Sequence, residues 1–224
     1  MTHQHAASGQ LAVFDCDGTL VDGQASICQA MEQAFATASL PAPPRHDIRR
    51  IVGLSLPHAV ARLAPQAERD QVHLIVDAYK QSYRAARASG ELAEPLFDGI
   101  AALLDRLRAA GWLLGVATGK SDRGLIHCLA GHNLSDHFIT LQTADRHPSK
   151  PHPAMLEAAL DQALVAPAGA VMIGDTAYDM VMAVSAGVRA IGVYWGYHER
   201  AELIAAGAEF VAADPQELGD YLIR

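Results

Sequence analysis

Leu11-Ala12-Val13-Phe14-Asp15-Cys16-Asp17-Gly18-Thr19 decides the fold, because an apolar run here ends in two aspartates one residue apart, followed by a glycine. Alternate side chains of a strand share a face, so Asp15 and Asp17 point one way and Cys16 the other. Open α/β sheets bind ligands just beyond the carboxyl ends of their strands. Gly18 permits a sharp turn away from the sheet. Asp and Gly also mark ordinary turns, so this segment alone leaves both readings open.

Three later segments extend the pattern. Leu113 to Ala117 is a second apolar run, and Thr118-Gly119-Lys120-Ser121 follows it as a hydroxyl- and glycine-rich turn suited to phosphate oxygens. Ser149-Lys150-Pro151-His152-Pro153 fixes a lysine between turn residues, ahead of a helical run from Met155 to Leu164. Ala170 to Ile173 ends in Gly174-Asp175-Thr176-Ala177-Tyr178-Asp179, a further strand tip carrying carboxylates. Turn chemistry alone does not account for four polar clusters at four element ends in this order.

These four segments resemble the signature motifs of haloacid dehalogenase-like hydrolases, and of their phosphatase branch in particular. The resemblance runs from Leu11 to about Phe210 and is strongest to phosphoglycolate phosphatase-like proteins. The stretches Trp195-Gly196-Tyr197 and Glu202 to Ala208 are also similar to theirs. The resemblance implies that Asp15 is a nucleophile forming an aspartyl-phosphate. Asp17 would protonate the leaving alkoxide and later take a proton from water. Thr118, Lys150 and backbone N–H groups near Gly18 and Thr19 would stabilise the phosphoryl oxygens. Gly119 and Lys120 are further candidates for binding substrate.

Bringing a carboxylate to a phosphate costs about 4 kcal/mol per unit-charge pair at 4 Å and an effective dielectric near 20, so positive charge has to stand close by. Oxygen donors from Asp15, Asp175 and a backbone carbonyl suit Mg²⁺. By resemblance that carbonyl belongs to Asp17, and Asp179 either holds a metal-bound water or pairs with Lys150.

Differences from sister chemistries narrow the reading. Dehalogenases of this family generally lack the second aspartate, present here as Asp17. Phosphonoacetaldehyde hydrolases use a cap lysine, whereas the turn Gly53-Leu54-Ser55-Leu56 has none and Lys80 lies in a helical pattern well beyond it. β-Phosphoglucomutases carry a histidine where this chain has Ile27 and basic residues where it has Val52 and Leu56, which demotes a sugar-phosphate mutase without eliminating it. A non-enzymatic phosphoacceptor resembling receiver domains is the other alternative. In such a domain the acceptor aspartate lies midway along the chain, and a helical insertion has no place.

The chain has 224 residues, half of them apolar, enough for a core and a sizeable insertion. Residues 22–94 lose the strand-and-glycine rhythm. Ile27, Met31, Ala34, Phe35 and Ala38 form one apolar stripe, and Val72, Ile75, Val76, Tyr79, Tyr83 and Ala86 another. From Pro95 helix and strand alternate, with strands expected at Phe138-Ile139-Thr140, Ala190 to Val193 and Glu209-Phe210-Val211. The expected fold is therefore α/β: a doubly wound parallel sheet (Rossmann-like) formed by residues 1–21 and 95–224, with a helical cap over 22–94 inserted after the first strand.

In the cap, Arg49, Arg50, Gly53, Ser55 and His58 are candidates to meet the leaving group; the arginines equally suit a solvated helix surface. Gly23 stands where relatives often carry Ser or Thr.

A formal charge of −8 argues against nucleic acid as a partner and is compatible with a small phosphorylated metabolite. Only Lys80, Lys120 and Lys150 are lysines, and two of them fall in the motifs. The three cysteines suit neither a disulfide framework nor a zinc site. The histidines show no metal-ligand spacing. No apolar run reaches the roughly 18 residues of a membrane span, and Met1 to Gln10 lacks the pattern of a signal peptide. A cytoplasmic monomer or homodimer without membrane contact is the resulting expectation.

Overall fold

A computed structural model describes residues 9–223. The expectation about Met1 to Gln10 lies almost wholly outside them. Among the described residues six strands form one parallel sheet: β1 (Gln10–Phe14), β2 (Trp112–Thr118), β3 (Thr140–Thr143), β4 (Ala170–Gly174), β5 (Arg189–Val193) and β6 (Phe210–Ala212). Their spatial order is β3-β2-β1-β4-β5-β6, the doubly wound arrangement in which the strand order reverses beside the first strand. In register, Phe14 lies opposite Val116 on one side and Ile173 on the other. Asp15, Thr118 and Asp175 therefore leave the sheet at the same edge.

The chain leaves that edge for a run of helices before β2. These are α1 (Gln24–Thr37), α2 (Arg45–Arg50), α3 (Leu56–Leu63) and α4 (Arg69–Ser89). The two apolar stripes read from the sequence meet here: Ile27, Met31 and Phe35 of α1 are buried against Ile75 and Val76 of α4. A capping box between Glu68 and Gln71 starts α4, and Gly90, at φ +76°, ends it in the left-handed conformation that glycine accepts most readily. The strands of chain entering and leaving this helical segment are paired: Asp22 N–H donates to Pro95 O at 2.8 Å and Phe97 N–H to Leu20 O at 3.1 Å.

Helices α5 (Ile100–Ala109), α6 (Asp122–Gly131), α7 (Ala154–Ala163), α8 (Ala177–Ser185), α9 (Arg200–Ala205) and α10 (Pro215–Leu222) cover the sheet. Alternation along β1 divides the core in two. Ala12 and Phe14 pack with Leu103, Leu125 and Leu218 on one face; Leu11 and Val13 pack with Leu156, Met180 and Leu203 on the other. Cys16 faces the first of these layers, its Sγ 3.9 Å from Cys128 Sγ.

One strand is displaced from its expected place. Phe138 is buried against the hydrophobic layer and Ile139 is exposed, but neither is in the strand. The ladder instead uses the polar run Thr140–Thr143, whose Thr140 and Gln142 side chains both donate to Gln162 Oε1 at 2.9 Å. Buried polar side chains satisfied by one another made this edge strand look like a loop. No helix of the described residues is long and apolar enough to cross a membrane.

Candidate active site

Asp15 directly follows β1, with its carboxylate fully buried. Its Oδ1 accepts Cys16 N–H at 2.6 Å and lies 2.9 Å from Lys150 Nζ. Its Oδ2 is buried and has no hydrogen-bond partner. Lys150 is itself buried and donates to Asp179 Oδ1 at 2.6 Å, the pairing alternative expected for Asp179. Asp179 is held in turn by the start of α8: its Oδ2 accepts Thr176 N–H at 3.1 Å and Thr176 Oγ1–H at 2.7 Å. Thr-Ala-Tyr-Asp is thus both a helix cap and a site motif.

Asp175 completes a cluster in which oxygens of Asp15, Asp175 and Asp179 lie within 4.8 Å of one another. Thr19 Oγ1–H donates to Asp175 Oδ1 at 2.8 Å and Tyr197 N–H to Oδ2 at 3.0 Å. Glycines allow this crowding: a Cβ on Gly18 would stand 2.2 Å from Asp175 Oδ2, and one on Gly196 2.2 Å from Asp175 Cβ. Three carboxylates around one ammonium leave negative charge in a buried place. Burial pushes the Asp15 carboxyl up to about 7 against the pull of Lys150, with Asp179 adding to the rise. Burial, then Asp15 and Asp179, push Asp175 well above the ordinary carboxylate range. Burial opposes the charge on Lys150, but Asp15 and Asp179 outweigh it and hold the ammonium above its usual value. The buried, all-oxygen donor set of Asp15, Asp175 and Asp179 fits a hard divalent cation such as Mg²⁺.

The side chain of Asp17 stands apart from that cluster. Lys120 Nζ lies 3.0 Å from its Oδ1, and the same Nζ donates to Glu94 Oε1 at 2.6 Å. Burial raises the Asp17 carboxyl while Lys120 draws it down. Lys120 therefore bridges two carboxylates, and it also lines the cavity beside Asp15 and Asp17, where the sequence placed it as a candidate to bind substrate.

A family model described as haloacid dehalogenase-like hydrolase matches residues 12–193, a span that contains all of these side chains. The chain belongs to this family. It is 35% identical over 204 residues to a protein of Dickeya dadantii named "Probable phosphatase IndB", covering 90% of this chain and 88% of that one. It is 25% identical over 226 residues to a protein of Vibrio vulnificus named phosphoglycolate phosphatase, covering 96% of each. A solved structure of a haloacid dehalogenase-like family hydrolase from Streptococcus pneumoniae superposes with a TM-score of 0.84 at 28% identity, over 96% of this chain and 99% of that one.

The other expected site residues of this hydrolase divide into two groups. Thr118, Gly119, Gly53 and Ser55 line, with Asp15 and Asp17, a cavity of about 500 Å³. Gly53, at φ +96°, and Gly119 allow the chain before α3 to rest on the sheet edge. A Cβ on Gly119 would meet Leu54 O at 2.5 Å and Gly53 O at 2.7 Å. Ser55 N–H donates to Ser149 Oγ at 2.8 Å, and the Ser55 hydroxyl shares a 2.8 Å hydrogen bond with His58 Nδ1.

The expectations for the remaining residues need correction. Arg49 and Arg50 do not line the cavity. Arg50 turns outward to Glu202, in a bidentate pair with Nη1 to Oε2 at 2.6 Å, because α2 presents it toward α9. The N–H groups of Gly18 and Thr19 are spent within their own turn, on Val21 O at 2.9 Å and Cys16 O at 3.3 Å. Thr19 acts through its hydroxyl on Asp175 instead.

Sequence reasoning did not select Glu94, Thr176 or Ser149 as site residues, nor the face of α4 that carries Tyr79, Lys80, Tyr83, Arg84 and Arg87 into the cavity. Lys80 thus reaches the site despite lying far from the Gly53 turn in sequence. Only Glu94 had a readable signal, a lone carboxylate beside Pro95 where the chain re-enters the sheet.

Proposed function

We propose that this hydrolase is a Mg²⁺-dependent phosphatase of small organic phosphomonoesters, working through an aspartyl-phosphate on Asp15. The observation that carries the reading is Asp15 Oδ2: a buried carboxylate oxygen at the cavity floor, without a partner, beside the ammonium of Lys150. A nucleophile placed at a sheet edge with its other oxygen anchored needs little further ordering to attack.

In the first step Asp15 Oδ2 forms a bond to phosphorus as the ester P–O bond breaks, and Asp17 gives its proton to the departing alkoxide oxygen. In the second, water attacks phosphorus, Asp17 takes a proton from it, and the acyl-phosphate P–O bond breaks to return Asp15 and release inorganic phosphate. Burial favours the protonated form of Asp17 that the first step uses. Lys150 offsets the charge gathered around Asp15, and the Thr118 hydroxyl, at the cavity wall, is a donor for a phosphoryl oxygen. Mg²⁺, held by Asp15 and Asp175, would neutralise charge on the phosphoryl oxygens.

The helical segment over residues 22–94 is read as a cap that closes the cavity and contacts the leaving group. The names of the two relatives support a phosphatase, and the Vibrio vulnificus name makes 2-phosphoglycolate the first specific substrate to test. The experiment is phosphate release from a panel of phosphomonoesters, with Mg²⁺ and with excess chelator. Metal-dependent release in many-fold excess over protein supports the reading. Interconversion of sugar phosphates without release would favour a mutase.

A further inference from the structure

We infer that the preferred substrate carries a second anionic group, a carboxylate or a second phosphate, at the far end of an apolar, ring-sized leaving group; this rests on the phosphatase reading. The positive charge around the cavity carries the inference. Lys80, Arg84 and Arg87 lie on α4 and Arg123 on α6, and all four line the cavity that holds Asp15 and Asp17. At 100° per residue the three α4 cations fall within about 60° of one another, on one side of the helix.

Their placement is unfavourable unless something negative joins them. Lys80 and Arg84 are an i, i+4 pair of like charge and Arg84 and Arg87 an i, i+3 pair, each of which destabilises a helix. Arg123 sits in the first turn of α6, where the helix dipole disfavours a cation. Among the described residues none of the four is in an ion pair, a property they share with Arg49, Arg62, Arg69, Arg108 and Arg200; what sets the four apart is that they line one cavity. The cavity's one further acid, Asp145, caps α6 by accepting Asp122 N–H at 2.9 Å. In a chain of net charge −8, four cations outside ion pairs around one cavity, with Asp77 the one acid at i−3 of Lys80 on the same helix, favour an anionic group there.

Apolar and aromatic side chains line the same cavity as the reacting carboxylates and these cations. Tyr79 and Tyr83 stack at 5.2 Å between centroids, and Ile27, Met31 and Leu54 face the same space. A volume of about 500 Å³ is roomier than two-carbon phosphoglycolate requires and lies within the roughly 300–1,000 Å³ usual for organic ligands.

The test compares phenyl phosphate with two esters of the same body, para-carboxymethylphenyl phosphate and para-phenylene bisphosphate. The expected result is a kcat/KM at least about 10-fold higher for one or both charged esters, which also tells carboxylate from phosphate. In the triple variant Lys80→Gln, Arg84→Gln, Arg87→Gln the ratio to phenyl phosphate should fall towards one, with a melting temperature no lower than the wild type's, since the like-charge repulsion along α4 is relieved. Equal kcat/KM for all three esters, or a ratio unmoved in the triple variant, would overturn the inference while leaving the phosphatase reading intact.

A binding arm is independent of turnover. On the Asp15→Asn background, calorimetric titration should show the bisphosphate binding more tightly than phenyl phosphate, with the difference lost when the three cations are removed. No such difference would overturn the inference. Absence of phosphate release from every ester, together with that binding difference, would contradict the phosphatase reading alone.

Discussion

Lys120 clamps Asp17: its Nζ lies 3.0 Å from Asp17 Oδ1 while donating to Glu94 Oε1, and all three side chains are largely buried. The clamp joins the turn after β2 to the aspartate assigned the proton transfers, and Tyr83 of α4 covers the ammonium at 5.8 Å. In the proposed mechanism Lys120 positions Asp17 for its proton transfers.

Lys120→Gln should lower kcat by about 10–100-fold, a share of the 10²–10⁴ typical of a placed general acid, with little change in KM. A direct substrate contact would instead raise KM. Breaking a buried pair costs about 3–5 kcal/mol, so the melting temperature should be followed in parallel, and Glu94→Gln should move kcat in the same direction.

Gly119→Ala places a Cβ 2.5 Å from Leu54 O, a backbone atom that has no rotamer to escape through. The chain over Gly53 and Leu54 has to lift from the sheet edge. Steady-state kinetics should show kcat/KM falling at least about 10-fold, since small misplacements around a reacting centre are costly.

Thr19→Val removes the 2.8 Å hydrogen bond to Asp175 Oδ1 and leaves a buried carboxylate oxygen short of a donor, at a cost of about 1–3 kcal/mol. Residues that orient a metal-binding carboxylate typically affect affinity by about 10–100-fold. The Mg²⁺ concentration for half-maximal phosphate release should rise by that order.

Arg50 and the backbone N–H of Glu199 hold the Glu202 carboxyl down to about 2, from an ordinary 4.5. A depressed carboxyl contributes stability that is complete above pH 4.5 and is lost as pH falls through the folded value. The two side chains are 46% and 34% exposed, so screening limits the pair to about 1 kcal/mol or less. Arg50→Gln should therefore melt at most about 2–4 °C lower near neutral pH, and the difference should shrink steadily between pH 4.5 and 2.

Much of the core could be read from the chain because β1, β2 and β4 are apolar runs that stop abruptly at Asp15, Thr118 and Asp175. Burial on both faces of a parallel sheet produces that signal directly. Thr140–Thr143 lacked it, since its polar side chains satisfy one another instead of being apolar. The helix Pro215–Leu222 was passed over although Asp214 caps it, accepting Glu217 N–H at 2.8 Å ahead of a proline. Lys80 could be placed in a helical pattern but not in the cavity, because spacing tells which residues share a face and not what that face meets. Arg50 is the converse case, a cation near the Gly53 turn whose partner, Glu202, lies 152 residues away.

The covalent role of Asp15 is tested most directly by acid-quenching the protein during turnover with Mg²⁺ and sequencing its peptides by mass spectrometry. A phosphoryl group is expected on Asp15 in the wild type, and none in a folded, inactive Asp15→Asn variant. Phosphoryl on another residue, or sustained phosphate release by Asp15→Asn, would contradict that role.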